Sequence, residues 1–127
     1  MTAAEDRRIK GAIAAAESRT TGHIVVRVIS DKAIAALDHA KAEFQHARFH
    51  DNPARNTALV LVAPKARSFA VIGDAALHQR VGEPFWNDLI KEMTPYFARG
   101  ATVDGIDHAI TQLGRALAEH FPKRDTL

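Results

Sequence analysis

Two groups of side chains have types and spacings that chemistry can use. The first is a set of aspartates at the ends of predicted elements: Asp31, Asp74 and, at the start of the last amphipathic stretch, Asp104 with Asp107. Carboxylates so placed hold a divalent cation through oxygen, and the cation lowers the pKa of a bound water until it attacks a phosphoryl group. Asp31, Asp74 and Asp104 are therefore the metal candidates, for Ca²⁺, Mg²⁺, Mn²⁺ or Zn²⁺, with Asp74 and Asp104 as the catalytic ligands or water-activating groups. Each also suits a helix N-cap or first turn, where the helix dipole favours an acid, and that plainer role carries more weight.

The second group is a stripe. His39, Glu43, His46 and His50 recur at intervals of four, three and four residues, which aligns them on one side of a helix. Imidazoles one turn apart bind zinc, nickel or copper, and Glu43 adds an oxygen ligand. The competing role is a solvated, histidine-rich face, because one helix rarely supplies a complete ligand set.

Other chemistries are excluded. With no cysteine in the chain, disulfides, Cys-based zinc sites and thiol nucleophiles are ruled out. There is no Gly-x-x-x-x-Gly-Lys-Ser/Thr loop, no Gly-x-Gly-x-x-Gly, no His-Glu-x-x-His and no Gly-x-Ser-x-Gly. A net charge of +2, with scattered basic residues and few aromatics, disfavours nucleic acid as a partner. Met1 to Lys10 lacks the apolar stretch of a leader, and no apolar run approaches the ~20 residues that span a bilayer. A soluble, cytoplasmic chain is the expectation.

The elements that position these groups follow from periodicity. The chain of 127 residues, 46% hydrophobic and 25% charged, fits one domain. Ala3 to Ser18 reads as a helix, with Ile9, Ala12, Ile13 and Ala16 at helical spacing, and Gly22 suits the turn after it. His23 to Ile29 is a strand. Ser30 or Asp31 is placed to cap a second helix, from Ala33 to about His50, with Leu37, Ala40, Phe44 and Ala47 as its apolar stripe. Ala58 to Ala63 is a continuous apolar run, predicting a central strand covered on both faces. Pro64 to Arg67 turns the chain into a third strand, Ser68 to Ile72, ending at Gly73-Asp74. A short helix from Ala75 to Val81 follows, then another from Pro84 to Pro95, then a last one starting at Thr102 or Asp104 and stopped by Phe121-Pro122.

The sum is an α/β domain: a three-layer α/β/α sandwich around a small mixed sheet, with a β-α-β crossover, a hairpin and C-terminal helices. In that topology Asp31 leaves a parallel strand and Asp74 an antiparallel one. They fall at opposite ends of the sheet, which weakens a single site shared between them.

The order and spacing of certain residues resemble the TPM domain family. They are Glu17-x-x-Thr20-x-Gly22-x-Ile24, the run Ala58 to Ala63, Gly73-Asp74, Val81-Gly82-x-x-Phe85-Trp86, Gly100, Gly105-Ile106 and His120-Phe121-Pro122. The resemblance covers about Ile9 to Pro122. Two positions depart from the family pattern: Ala75 stands where a second glycine is common, and His23 stands where an acid is common. The resemblance implies one of two roles: an acid phosphatase of low specificity using divalent metal, or a factor that binds protein partners, at a membrane surface in some relatives. Ala75 disfavours a loop that must approach a ligand closely, so the expected role is a protein-interaction module without turnover.

Overall fold

The structure is a computed structural model that describes residues 1–30, 35–46 and 52–123, with only the backbone for residues 44–46. Among the described residues, four helices and three strands follow in the order α1 (Ala3–Glu17), β1 (His23–Val28), α2 (Ala36–His46), β2 (Thr57–Ala63), β3 (Ser68–Gly73), α3 (Ala75–Ala98) and α4 (Thr102–His120). A single 3-10 turn, Pro64–Ala66, joins β2 to β3.

The sheet runs β1-β2-β3, with β2 parallel to β1 and antiparallel to β3. Every residue of β2 is buried, as its unbroken apolar run predicts. Ala58, Val60 and Val62 join Ile24, Val71 and the apolar stripes of α1, α3 and α4 in the larger core. Leu59 and Leu61 face the other way, onto Ala36 and Ala40 of α2. The period-two alternation of one strand thus divides the helices into two layers.

Three expectations are corrected by packing. First, α2 presents Ala36 and Ala40 to the sheet, and Leu37 is 50% exposed. Alanines let this helix sit close on β2 and β3, and Leu37 falls outside the contact stripe; Ala47 is outside the described residues. Second, α2 starts at Ala36 rather than Ala33, and the Ala36 N–H donates to the Ser68 hydroxyl at 3.1 Å, while the cap candidate Asp31 lies outside the described residues.

Third, Pro95 does not stop its helix, and α3 runs to Ala98. An interior proline costs about 3 kcal/mol. Burial of Met93 and the stacking of Phe97 on Phe69, with ring centroids 4.7 Å apart, offset that cost. The expected break between the two predicted helices is present within α3 at Gly82, whose non-helical φ of +74° is open to glycine but strained for other residues.

Candidate functional site

The two aspartates predicted to work together stand at opposite ends of the sheet. Asp74 follows β3, where Gly73 pairs with Ala58, so it lies beside the entrances of β1 and β2. Its backbone N–H donates to the Thr57 carbonyl at 2.9 Å. Asp104 lines a cleft of about 400 Å³ with Val28 and Pro64, at the exits of the same two strands.

Asp74 is 4% exposed and already engaged through both carboxylate oxygens. It is the N-cap of α3 and accepts the Ala75 N–H at 2.8 Å. The Arg55 guanidinium supplies the rest: Nε lies 2.9 Å from both oxygens and Nη2 lies 2.8 Å from Oδ1. This forked contact pushes the Arg55 guanidinium pKa above its ordinary value, the hydrogen bond to Asp74 being the main cause. Arg55 sits in a left-handed conformation, φ 51°, and its own carbonyl accepts the N–H groups of Ala76 and Leu77. One residue therefore closes the start of α3 twice, by side chain and by backbone.

The glycine before Asp74 has a packing role. A Cβ at Gly73 would stand 2.4 Å from the Trp86 ring, so only glycine lets the indole lie against the strand. Trp86 in turn donates its Nε1–H to His78 Nδ1 at 3.0 Å. Other residues that carry the family resemblance meet at this same end. Glu17 accepts the Ile24 N–H at 2.8 Å. The Thr20 hydroxyl donates to the Leu117 and Phe121 carbonyls at the end of α4, and accepts the Gly22 N–H at 3.0 Å. Beside it, buried Asn56 accepts from Asn52 Nδ2 at 2.6 Å and donates to Thr21 Oγ1 at 3.3 Å.

At the strand exits the arrangement is looser. Asp104 and Asp107, three residues apart on α4, both reach Arg8 Nη2 at 2.9 Å, and all three side chains are at least one-third exposed. The two carboxylates push the Arg8 pKa upward, Asp107 more than Asp104. Glu5 borders the same cleft, and a neighbouring cavity of about 600 Å³ brings in Asp6 and Ser30. Ligands of open α/β sheets collect at this end.

Oxygen donors of the Asp104–Asp107 kind suit a hard divalent cation, but here an arginine already bridges the pair. Among the described residues no three His, Asp or Glu side chains are grouped to hold a metal. Asp31 and His50 lie outside the described residues, as does the side chain of His46. From the histidine stripe, His39 is half-buried and Glu43 stands 3.7 Å from Arg27.

Sequence reasoning missed Arg8, Arg55 and the bridging role of Asp107. A lone arginine carries no periodic or motif signal. The positive φ of Arg55 follows Asn52-Pro53-Ala54, a turn-prone stretch, which is the one local hint.

Comparisons agree with this architecture. The chain matches the model of the TPM domain over residues 1–116. It is similar to the NMR structure of the BA42 protein from the psychrophilic bacterium Bizionia argentinensis, at 30% identity and a TM-score of 0.87, covering 96% of this chain and 84% of that one. Two further structures share the fold. The N-terminal domain of a protein from P. gingivalis aligns at 14% identity and a TM-score of 0.72, covering 98% of this chain and 83% of that one. The N-terminal domain of the cg2496 protein from Corynebacterium glutamicum aligns at 13% identity and 0.69, covering 92% and 74%. No curated protein matches the chain. No helix among the described residues is long and apolar enough to cross a membrane. With most of its length matched in sequence and its strand order, helix layers and motif glycines in place, the chain belongs to the TPM domain family.

Proposed function

We propose that this TPM domain is a protein-interaction module that works without turnover. One observation carries the reading: Asp74 and Asp104, the pair a hydrolytic centre would use, stand at opposite ends of the sheet, each held by an arginine. A phosphoryl group cannot meet both. The polar residues of the family motifs around Asp74 are committed to caps and close packing, which is the pattern of a rigid scaffold rather than a reaction centre.

The test is direct. The metal-stripped domain is titrated calorimetrically with Ca²⁺, Mg²⁺, Mn²⁺ and Zn²⁺, then assayed on a generic phosphomonoester with each metal that binds. The expected result is no turnover with any metal.

A second reading keeps a divalent-metal-dependent phosphatase of low specificity, and one observation favours it. Asp104 and Asp107 converge on Arg8 Nη2, beside a cleft that Asp104 and Arg8 line. In this reading a cation displaces Arg8 from the pair. Phosphate release that vanishes in Asp104→Ala and persists in Asp74→Asn would put this reading first.

A further inference from the structure

β1 is an edge strand of the described sheet, and among the described residues its outer side is largely unprotected. In a parallel pair each residue directs its N–H and C=O to the same side, alternating along the strand. The N–H groups of His23 and Ile29 go to the Asn56 and Val62 carbonyls on the β2 side. Ile24, Val26 and Val28 therefore face outward. The Ile24 N–H is taken by Glu17. The N–H groups of Val26 and Val28 have no acceptor among the described residues, and the Val26 carbonyl is approached only by Arg27 Nη1 at 3.5 Å. Protection of the edge thus ends one residue into the strand.

Beside this edge lies a groove of about 500 Å³ between β1 and α1, its apolar walls formed by Ile9, Ile13, Ile24, Val26 and Val28. Val28 is 38% exposed, an unusual state for a strand valine in a protein that shields its edges.

From this edge and groove we infer a docking site for an extended segment of a partner protein, which adds as a fourth strand along Val26 to Ser30. The inference rests on the interaction-module reading and names its surface. Two observations choose the occupant. The charges at the rim are compensated internally, Lys10 by Asp6 at 3.0 Å and Arg27 by Glu43 at 3.7 Å, so complementarity calls for an uncharged segment. Five residues of edge extend only about 17 Å. A second copy pairing through so short an edge covers several hundred Å², below the roughly 1,200 Å² of a stable dimer. A neutral, β-branched segment of about five residues fits both limits. Its backbone takes the Val26 and Val28 N–H groups, and alternate side chains enter the groove.

The probe is the acetylated, amidated peptide Thr-Val-Thr-Val-Thr, added to the ¹⁵N-labelled domain, with Thr-Pro-Thr-Pro-Thr as control. The expected result is saturable amide shifts confined to residues 24–30 and the α1 wall, with hydrogen exchange at Val26 and Val28 slowed at least about tenfold. The control peptide should do neither. Val26→Pro removes an outward N–H and should abolish the response. Val28→Lys changes an already exposed side chain, keeps the fold and should weaken binding at least about tenfold.

No shift at peptide concentrations on the order of millimolar, shifts elsewhere, or unchanged binding by Val28→Lys overturns the site. If the wild-type domain retains a partner that Val28→Lys retains equally, the edge assignment falls and the interaction reading stands. Turnover in the phosphomonoester assay overturns the interaction reading itself.

Discussion

Asp74 and Asp104 are the same residue type near the starts of consecutive helices, yet they live in different physical regimes. Asp74 is buried at the strand entrances, where low polarity makes every unpaired oxygen costly, and an arginine fork plus a backbone N–H satisfy it. Asp104 stands 54% exposed at the strand exits, sharing one guanidinium with Asp107 in contact with water. The first pair locks a helix to a strand. The second can be exchanged at little cost, because exposed ion pairs contribute about 0–1 kcal/mol. Burial, rather than residue type, separates scaffold from available chemistry in this fold.

The sharpest way to break this contrast is to remove the arginines in turn. Arg55→Ala leaves the Asp74 carboxylate buried with one hydrogen bond, and should destabilise the domain by about 3 kcal/mol, with Tm down by about 10 °C. Arg8→Ala should move Tm by no more than a degree or two. Equal losses, read by thermal denaturation, would show that the two ends do not differ in kind.

A smaller effect is expected at Gly73. Gly73→Ala drives a methyl into the Trp86 ring and should cost about 1–3 kcal/mol through overpacking, with a changed indole fluorescence spectrum. An unchanged spectrum and unchanged urea midpoint would mean that Trp86 has room to retreat.

Asp104→Asn sharpens the other side of the comparison. Its stability should stay within about 0.5 kcal/mol of the wild type. Any divalent binding seen by calorimetry should nevertheless fall with it, separating a loss of ligand from a loss of fold.

The smallest effect is at the first turn of α1, near the exposed end. The Glu5 carboxylate accepts the Thr2 N–H at 2.9 Å in a capping box, and that backbone hydrogen bond holds its pKa below the ordinary value near 4.5. A lowered folded-state pKa gives stabilisation that is present above 4.5 and lost as pH falls through the lowered value. Protection of the first-turn amides of α1 from exchange should therefore fall only below about pH 4.5, and Glu5→Gln should remove that pH dependence.

Much of this architecture was legible because it rests on period and composition. The run Ala58 to Ala63 announced a central strand, and Ile106, Ile110, Leu113 and Leu117 announced the buried stripe of α4. What stayed hidden depends on approach between distant elements. Arg8 and Asp107 are 99 residues apart, and nothing in either neighbourhood announces the other. Leu37 misled because a leucine outweighs alanine in any apolar stripe, although the sheet accepts only the smaller side chains Ala36 and Ala40 at close range. Gly73-Asp74 looked chemical because it falls where the family has its glycine motif. In the fold the glycine makes room for an indole and the acid caps a helix.

The Thr20 contact bears on how the chain acquires its shape. The entry to β1 is finished only when Thr20 meets the Leu117 carbonyl, 97 residues later, and Thr20 also bridges to Pro122. During synthesis, the first strand must therefore wait, incompletely seated, until the last helix has emerged from the ribosome. Partial chains lacking α4 gain little from their early pairings, because the loop closure that completes them has yet to occur. Such a closure ties the segment after the first helix to the end of the last, so a fragment lacking α4 is expected to show no cooperative thermal transition.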